Sequence, residues 1–83
     1  MLTIKILGPG CSNCKKLESI TRDAVLRSGV EAQIEKVTEY AGIMKYNILS
    51  TPGLVINEKV MSAGRISSEA QIITMLTTAL EQN

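Results

Sequence analysis

The chain has no histidine, tryptophan or phenylalanine, and its only aromatic residues are Tyr40 and Tyr46. A core must therefore be built from Ile, Leu, Val, Met and Ala, and no aromatic cluster is available on which nucleic-acid bases could stack. Charge of one sign is also missing: nine basic residues against eight acidic ones leave +1 and no dense basic run. Electrostatic binding to nucleic acid or to an anionic membrane has no support in that balance. No apolar stretch approaches the roughly twenty residues a membrane span needs. The first strand pattern begins almost at Met1, which leaves no room for a secretory signal, so a cytoplasmic location is expected. Cysteine is scarce as well, with two in 83 residues, Cys11 and Cys14. That is too few for a disulfide-stapled scaffold, and their spacing closes too small a loop to do much stapling. Carbonyl and phosphate chemistry have no candidate constellation, and no repeat, linker or low-complexity segment divides the chain. Residues 1–83 are expected to form one domain and a monomer, near the size at which a single core is only marginally sufficient.

What is present is periodicity. Leu2, Ile4 and Ile6 alternate with Thr3, Lys5 and Leu7 as a strand would, and Gly8-Pro9-Gly10 breaks it. A helix follows from about Ser12 to Arg27, with Leu17, Ile20, Ala24 and Val25 on one face and Gly29 placed to stop it. Residues Val30 to Val37 read as a second strand, one face apolar and one charged, as suits a sheet edge. Thr38 is positioned to cap a short helix carrying Tyr40, Ile43 and Met44 and ending near Asn47. Leu54, Val55 and Ile56 are apolar on both faces and predict a central strand. Asn57-Glu58 is a tight-turn pair, and Lys59 to Ala63 returns as the next strand. Ser68 and Gln71 fit a capping box for a last helix bearing Ile72, Ile73, Leu76, Ala79 and Leu80. The order is βαβαββα: a right-handed parallel crossover, then an antiparallel hairpin. A mixed four-stranded sheet with helices on both faces follows, an α/β fold.

The stretch "GPGCSNCKKLE" places both cysteines where the first strand ends and the first helix starts. In a reducing compartment so close a pair is more often catalytic or metal-binding than structural. A zinc site needs about four ligands, which without histidine would require two chains each to contribute a cysteine pair. A soft-metal binder or metallochaperone is thus the alternative to a redox couple. Heavy-metal-associated domains also carry a C-x-x-C after their first strand, but they end on a strand, whereas this chain ends on an amphipathic helix.

The element order, with "GPGCSNCKKLE", "STPGLVIN" and "AGRISSEAQI", resembles the thioredoxin/glutaredoxin fold in its minimal form. Within it, the chain is similar to the small thioredoxin-like "redox-active disulfide protein" family of archaea and bacteria. The resemblance implies a thiol–disulfide oxidoreductase that exchanges a Cys11–Cys14 disulfide with protein disulfides and needs no cofactor or metal. Cys11 matches the exposed nucleophile and Cys14 the resolving cysteine. Pro52 matches the proline that is cis in this fold, and Thr51 would present backbone groups to an extended substrate. Ser12-Asn13 replaces the usual Gly-Pro or Pro-Tyr between the cysteines, and no acidic residue in the first strand serves as thioredoxin's buried proton acceptor. Glutaredoxin's Gly-Gly-x-Asp is not evident either, since Gly64 is followed by Arg65-Ile66-Ser67. A disulfide reductase is accordingly expected as electron donor in preference to glutathione. Exchange needs a thiolate, and free cysteine titrates at about 8.5. Cys11 sits at a helix N-terminus, whose unpaired N–H groups and dipole favour an anion, and Lys15 adds positive charge. Ser12 and Asn13 can hydrogen-bond a thiolate or the first turn and so tune the potential.

Overall fold

The computed structural model describes residues 1–81. Seven elements follow one another: β1 (Leu2–Leu7), α1 (Ser12–Ser28), β2 (Ala32–Val37), α2 (Tyr40–Met44), β3 (Gly53–Ile56), β4 (Lys59–Ala63) and α3 (Glu69–Glu81). The strands form one sheet in the order β2-β1-β3-β4. β1 pairs with β2 in parallel, while the β1/β3 and β3/β4 pairs are antiparallel. β2 lies at an edge, and β3, inside the sheet, is buried along its whole length, as its two-sided apolar pattern requires.

The alternation of β1 divides the core. Leu2, Ile4 and Ile6 pack with Leu17 and Ala24 of α1, with Ile72 and Leu76 of α3, and with Leu54 and Ile56 of β3. On the opposite face Leu7 and Val55 meet Ile43 of α2 and Ile48. Each such fully buried Leu or Ile contributes about 1.5–3 kcal/mol relative to an exposed one, so the sheet is held from both sides.

Local signals set the ends of the elements. Gly29 has φ 73°, and its N–H donates to Val25 O at 3.1 Å, closing α1 in the left-handed conformation that glycine adopts freely. At the start of α3, Ser68 N donates to Gln71 Oε1 (2.9 Å) and Gln71 N to Ser68 Oγ (3.2 Å), the reciprocal pair of a capping box. Asn57 and Glu58 both have positive φ, and Asn57 also ties the β3–β4 turn to β1. Its N–H donates to Thr3 O (2.8 Å) and its Oδ1 accepts from Thr3 N (3.0 Å).

Three boundaries differ from the sequence reading. β2 starts at Ala32 instead of Val30, because pairing with β1 begins only where Leu2 N donates to Glu31 O (2.9 Å). α2 is capped at Glu39, not at Thr38: Glu39 O is the first carbonyl to accept a helical bond, from Ile43 N (3.0 Å). Thr38 therefore lies one residue too early for its hydroxyl to cap, and Glu39 makes no side-chain cap bond. The helix ends at Met44. Tyr46 N and Asn47 N then donate to carbonyls three residues back, and Asn47, at φ 55°, turns the chain toward β3.

Candidate active site

Close packing at Gly8 shapes the site. Just past β1, Gly8 donates its N–H to Val37 O at 2.9 Å, which fixes its backbone against β2. A methyl group there would run into the Cys14 sulfur and would lie 3.3 Å from Cys14 Cβ and 3.7 Å from Thr51 Cβ. Gly8 is thus where β1, the start of α1 and the segment before β3 converge, and only a residue without a side chain fits. Gly10, at φ 97°, then delivers the chain to Cys11.

Cys11 is the N-cap of α1, and its sulfur accepts a hydrogen bond from Cys14 N at 3.2 Å. It is exposed, whereas Cys14, one turn into the helix, retains only 5% of its accessible surface. The two form a disulfide, with Cα atoms 5.0 Å apart. One sulfur can meet a partner protein and the other cannot, although both belong to one covalent unit. Among the other tuning candidates, Ser12 and Asn13 are exposed in the first turn, and neither side chain makes a hydrogen bond among the described residues. Lys15 lines a cavity of about 60 Å³ that also touches Cys14.

The Thr51–Pro52 peptide bond is cis, as the sequence reading expected, and Pro52 is fully buried. Its carbonyl accepts from Gly64 N at 2.9 Å, and Gly64, at φ 75°, has no room for a side chain because Ser50 lies against it. Gly64 reads in sequence as the end of a strand; folded, it also holds the proline segment in place. Signals for this were absent, since the contact joins residues twelve positions apart through a bulged hairpin.

Sequence reasoning also missed an apolar cleft bordered by the loop before Cys11 and the segment before Pro52. It has a volume of about 290 Å³, and Pro9 and Thr51 line it together with Tyr40, Met44, Ile48 and Leu49. Leu49 is 102% exposed and Tyr40 76%. Both lie around the short α2 and the left-handed Asn47, where the chain turns toward β3.

Tyr46 packs on the second core cluster and has a polar role too. Lys5 Nζ donates to Tyr46 Oη (2.9 Å) and to Glu58 Oε1 (3.0 Å), and Tyr46 Oη donates to Glu58 Oε2 (2.7 Å). Hydrogen bonding to Tyr46, then to Glu58, raises the Lys5 ammonium above its ordinary value, and bonds from Tyr46, then Lys5, hold the Glu58 carboxyl below its own. The network ties β1, the segment after α2 and the β3–β4 turn together on the α2 face.

Residues 2–77 match the family model of the thioredoxin domain. A thioredoxin of Methanothermobacter thermautotrophicus is 35% identical over 77 residues, which span 93% of this chain and 100% of that protein. A thioredoxin of Methanocaldococcus jannaschii is 32% identical over 81 residues, 98% of this chain and 93% of that protein. Among solved structures, thioredoxin-2 of the malaria parasite superposes with a TM-score of 0.71 at 13% identity, covering 94% of this chain and 82% of that one. The germline thioredoxin Deadhead of Drosophila melanogaster gives 0.65 at 17% identity, covering 93% and 79%. The last two show likeness of fold alone.

Proposed function

The chain belongs to the thioredoxin domain family and is a thiol–disulfide oxidoreductase; from that premise we propose that it acts on protein disulfides with a reductase as its partner, Cys11 being the attacking thiol and Cys14 the resolving one. The observation that carries the assignment is the unequal exposure of the two sulfurs. In the reduced protein the Cys11 thiolate attacks one sulfur of a substrate disulfide, forming a mixed disulfide and releasing the other sulfur as a thiolate. Cys14 then loses its proton and attacks Cys11; the mixed disulfide breaks, the second substrate sulfur leaves, and the Cys11–Cys14 bond forms. Two electrons pass to the substrate.

The N–H groups and dipole at the helix start favour negative charge on the Cys11 sulfur. The Cys14 N–H that already donates to Cys11 Sγ is one such group. Lys15 adds charge, and Ser12 and Asn13 set the polarity of the exposed first turn. Thr51, held beside Gly8 by the Pro52 segment, offers backbone groups to the substrate chain. Its neighbouring cleft suits an apolar side chain close to the substrate disulfide. Among the described residues no helix is long and apolar enough to cross a membrane. The remainder of the reading is a single domain over residues 1–83 working as a monomer in the cytoplasm, recycled by a dedicated disulfide reductase rather than by glutathione.

Trapping tests the roles. Cys14→Ser should accumulate mixed disulfides with partner proteins, because attack survives and resolution is lost, while Cys11→Ser should capture almost nothing. Equal capture by the two variants would refute the asymmetric mechanism.

A further inference from the structure

Resolution requires the Cys14 thiol, almost wholly buried, to lose a proton, and β1 supplies no carboxylate to take it. The cavity against Cys14 does hold one. Glu18 follows Cys14 by one helical turn, and with Lys36 it lines the same 60 Å³ space as Cys14. Lys36 reaches that space because the parallel register pairs it with Ile6, whose side chain packs on the α1 face of the sheet.

The Glu18 carboxylate is held in an asymmetric way. Arg22 Nε and Nη2 both donate to Oε2, at 3.0 and 2.9 Å. Oε1 takes no hydrogen bond among the described residues, its nearest cation being Lys36 Nζ at 3.8 Å. The side chain is 18% exposed, so one oxygen is anchored and the other is available beside a buried thiol. The charged groups facing Cys14 are Lys15 and Glu18 from α1 and Lys36 from β2. The lining from β1 and its following loop is uncharged, as is Thr51 from the proline segment.

We propose that Glu18 is the proton acceptor for Cys14 in the resolving step. The space exceeds the roughly 10–15 Å³ that one water requires, so a water can link thiol and Oε1. The proton passes from Cys14 Sγ through that water to Glu18, and the sulfur's electron pair then forms the bond to Cys11. The departing substrate thiolate takes a proton from solvent, and Glu18 returns its own to solvent when the cycle ends. Lys36 and Lys15 stabilise the transient Cys14 thiolate. This deepens the functional reading above and rests on Cys14 being the resolving thiol.

The test uses the reduced full chain and 5,5′-dithiobis(2-nitrobenzoate). Attack by Cys11 releases one nitrothiobenzoate and resolution by Cys14 releases a second, so the two steps are seen as separate phases. Glu18→Gln should leave the first phase unchanged and slow the second about a hundredfold near neutral pH, the low end of what a positioned base contributes. The deficit should close at alkaline pH, where hydroxide in solution takes the proton without help from a side chain. Glu18→Asp, which keeps a carboxylate, should restore most of the pH profile. A Glu18→Gln second phase that tracks wild type at every pH would overturn the proposal. So would a faster one, which would show the carboxylate acting only as a repelling charge. A wild type that releases a single nitrothiobenzoate would instead overturn the assignment of Cys14, and the proposal with it.

Discussion

Gly8→Ala is the sharpest probe of how the fold holds the site. The added methyl would collide with the Cys14 sulfur and approach Cys14 Cβ to 3.3 Å, with Thr51 Cβ at 3.7 Å closing the other side. Neither side yields easily. The Gly8 backbone is pinned by its bond to Val37 O, and Cys14 is tethered both to α1 and through the disulfide to Cys11. Overpacking of this kind costs about 1–3 kcal/mol. In a domain of this size each 1 kcal/mol lowers Tm by about 4–8 °C. Gly29→Ala is the control: it meets nothing within 4 Å, yet its φ of 73° costs about 1–2 kcal/mol in backbone strain. The two variants should therefore be destabilised alike in urea or thermal unfolding of the oxidised protein. They should part in function, because Gly8→Ala displaces Cys14 relative to Cys11 and Thr51, whereas Gly29 lies at the far end of α1. The assay is reduction of a protein disulfide at a temperature where both variants stay folded. If Gly8→Ala unfolds like wild type, or keeps as much exchange activity as Gly29→Ala, the convergence at Gly8 does not control the site.

Leu49→Ser removes an apolar side chain that already faces solvent, so unfolding should be unchanged; kcat/KM should fall severalfold on a protein disulfide and not on a small aromatic one, and a parallel loss on both would refute docking at the cleft. Glu58 has its carboxyl held below the ordinary value, so its contribution to stability is complete above the unfolded pKa of about 4.3 and disappears as pH falls through the lower folded value. Glu58→Gln should accordingly flatten the acid limb of a urea-midpoint-versus-pH curve. Lys5 has the opposite sign: its contribution is complete below about 10.4 and is lost only as pH rises toward the higher folded value, so Tyr46→Phe should weaken the alkaline limb.

How much of this was legible in the sequence depended on whether the signal was local. The bounds of β1 and β4, the left-handed stop at Gly29, the Ser68–Gln71 capping box and the Asn57-Glu58 turn all depend on residues within about one turn of each other, and each stands where the pattern put it. The cysteine pair was legible for the same reason, since a strand end, a glycine-rich break and a helix start occupy adjacent positions. What stayed hidden were consequences of register. Glu18 reads as an exposed helical carboxylate, and Lys36 as one more charge on an edge strand. Only the parallel pairing of Ile6 with Lys36 brings that strand over the start of α1 and closes a space around Cys14. Gly64 and Pro52, likewise, meet only because a bulged hairpin folds one back on the other. The missing acidic residue of the first strand points the same way. β1 carries no carboxylate at all: its one charged residue is Lys5, which faces Tyr46 and Glu58 on the α2 side of the sheet. The carboxylate that shares a cavity with Cys14 comes from the helix that carries the cysteines, on the opposite face, at a spacing of one turn that the sequence displays but whose meaning the sheet supplies.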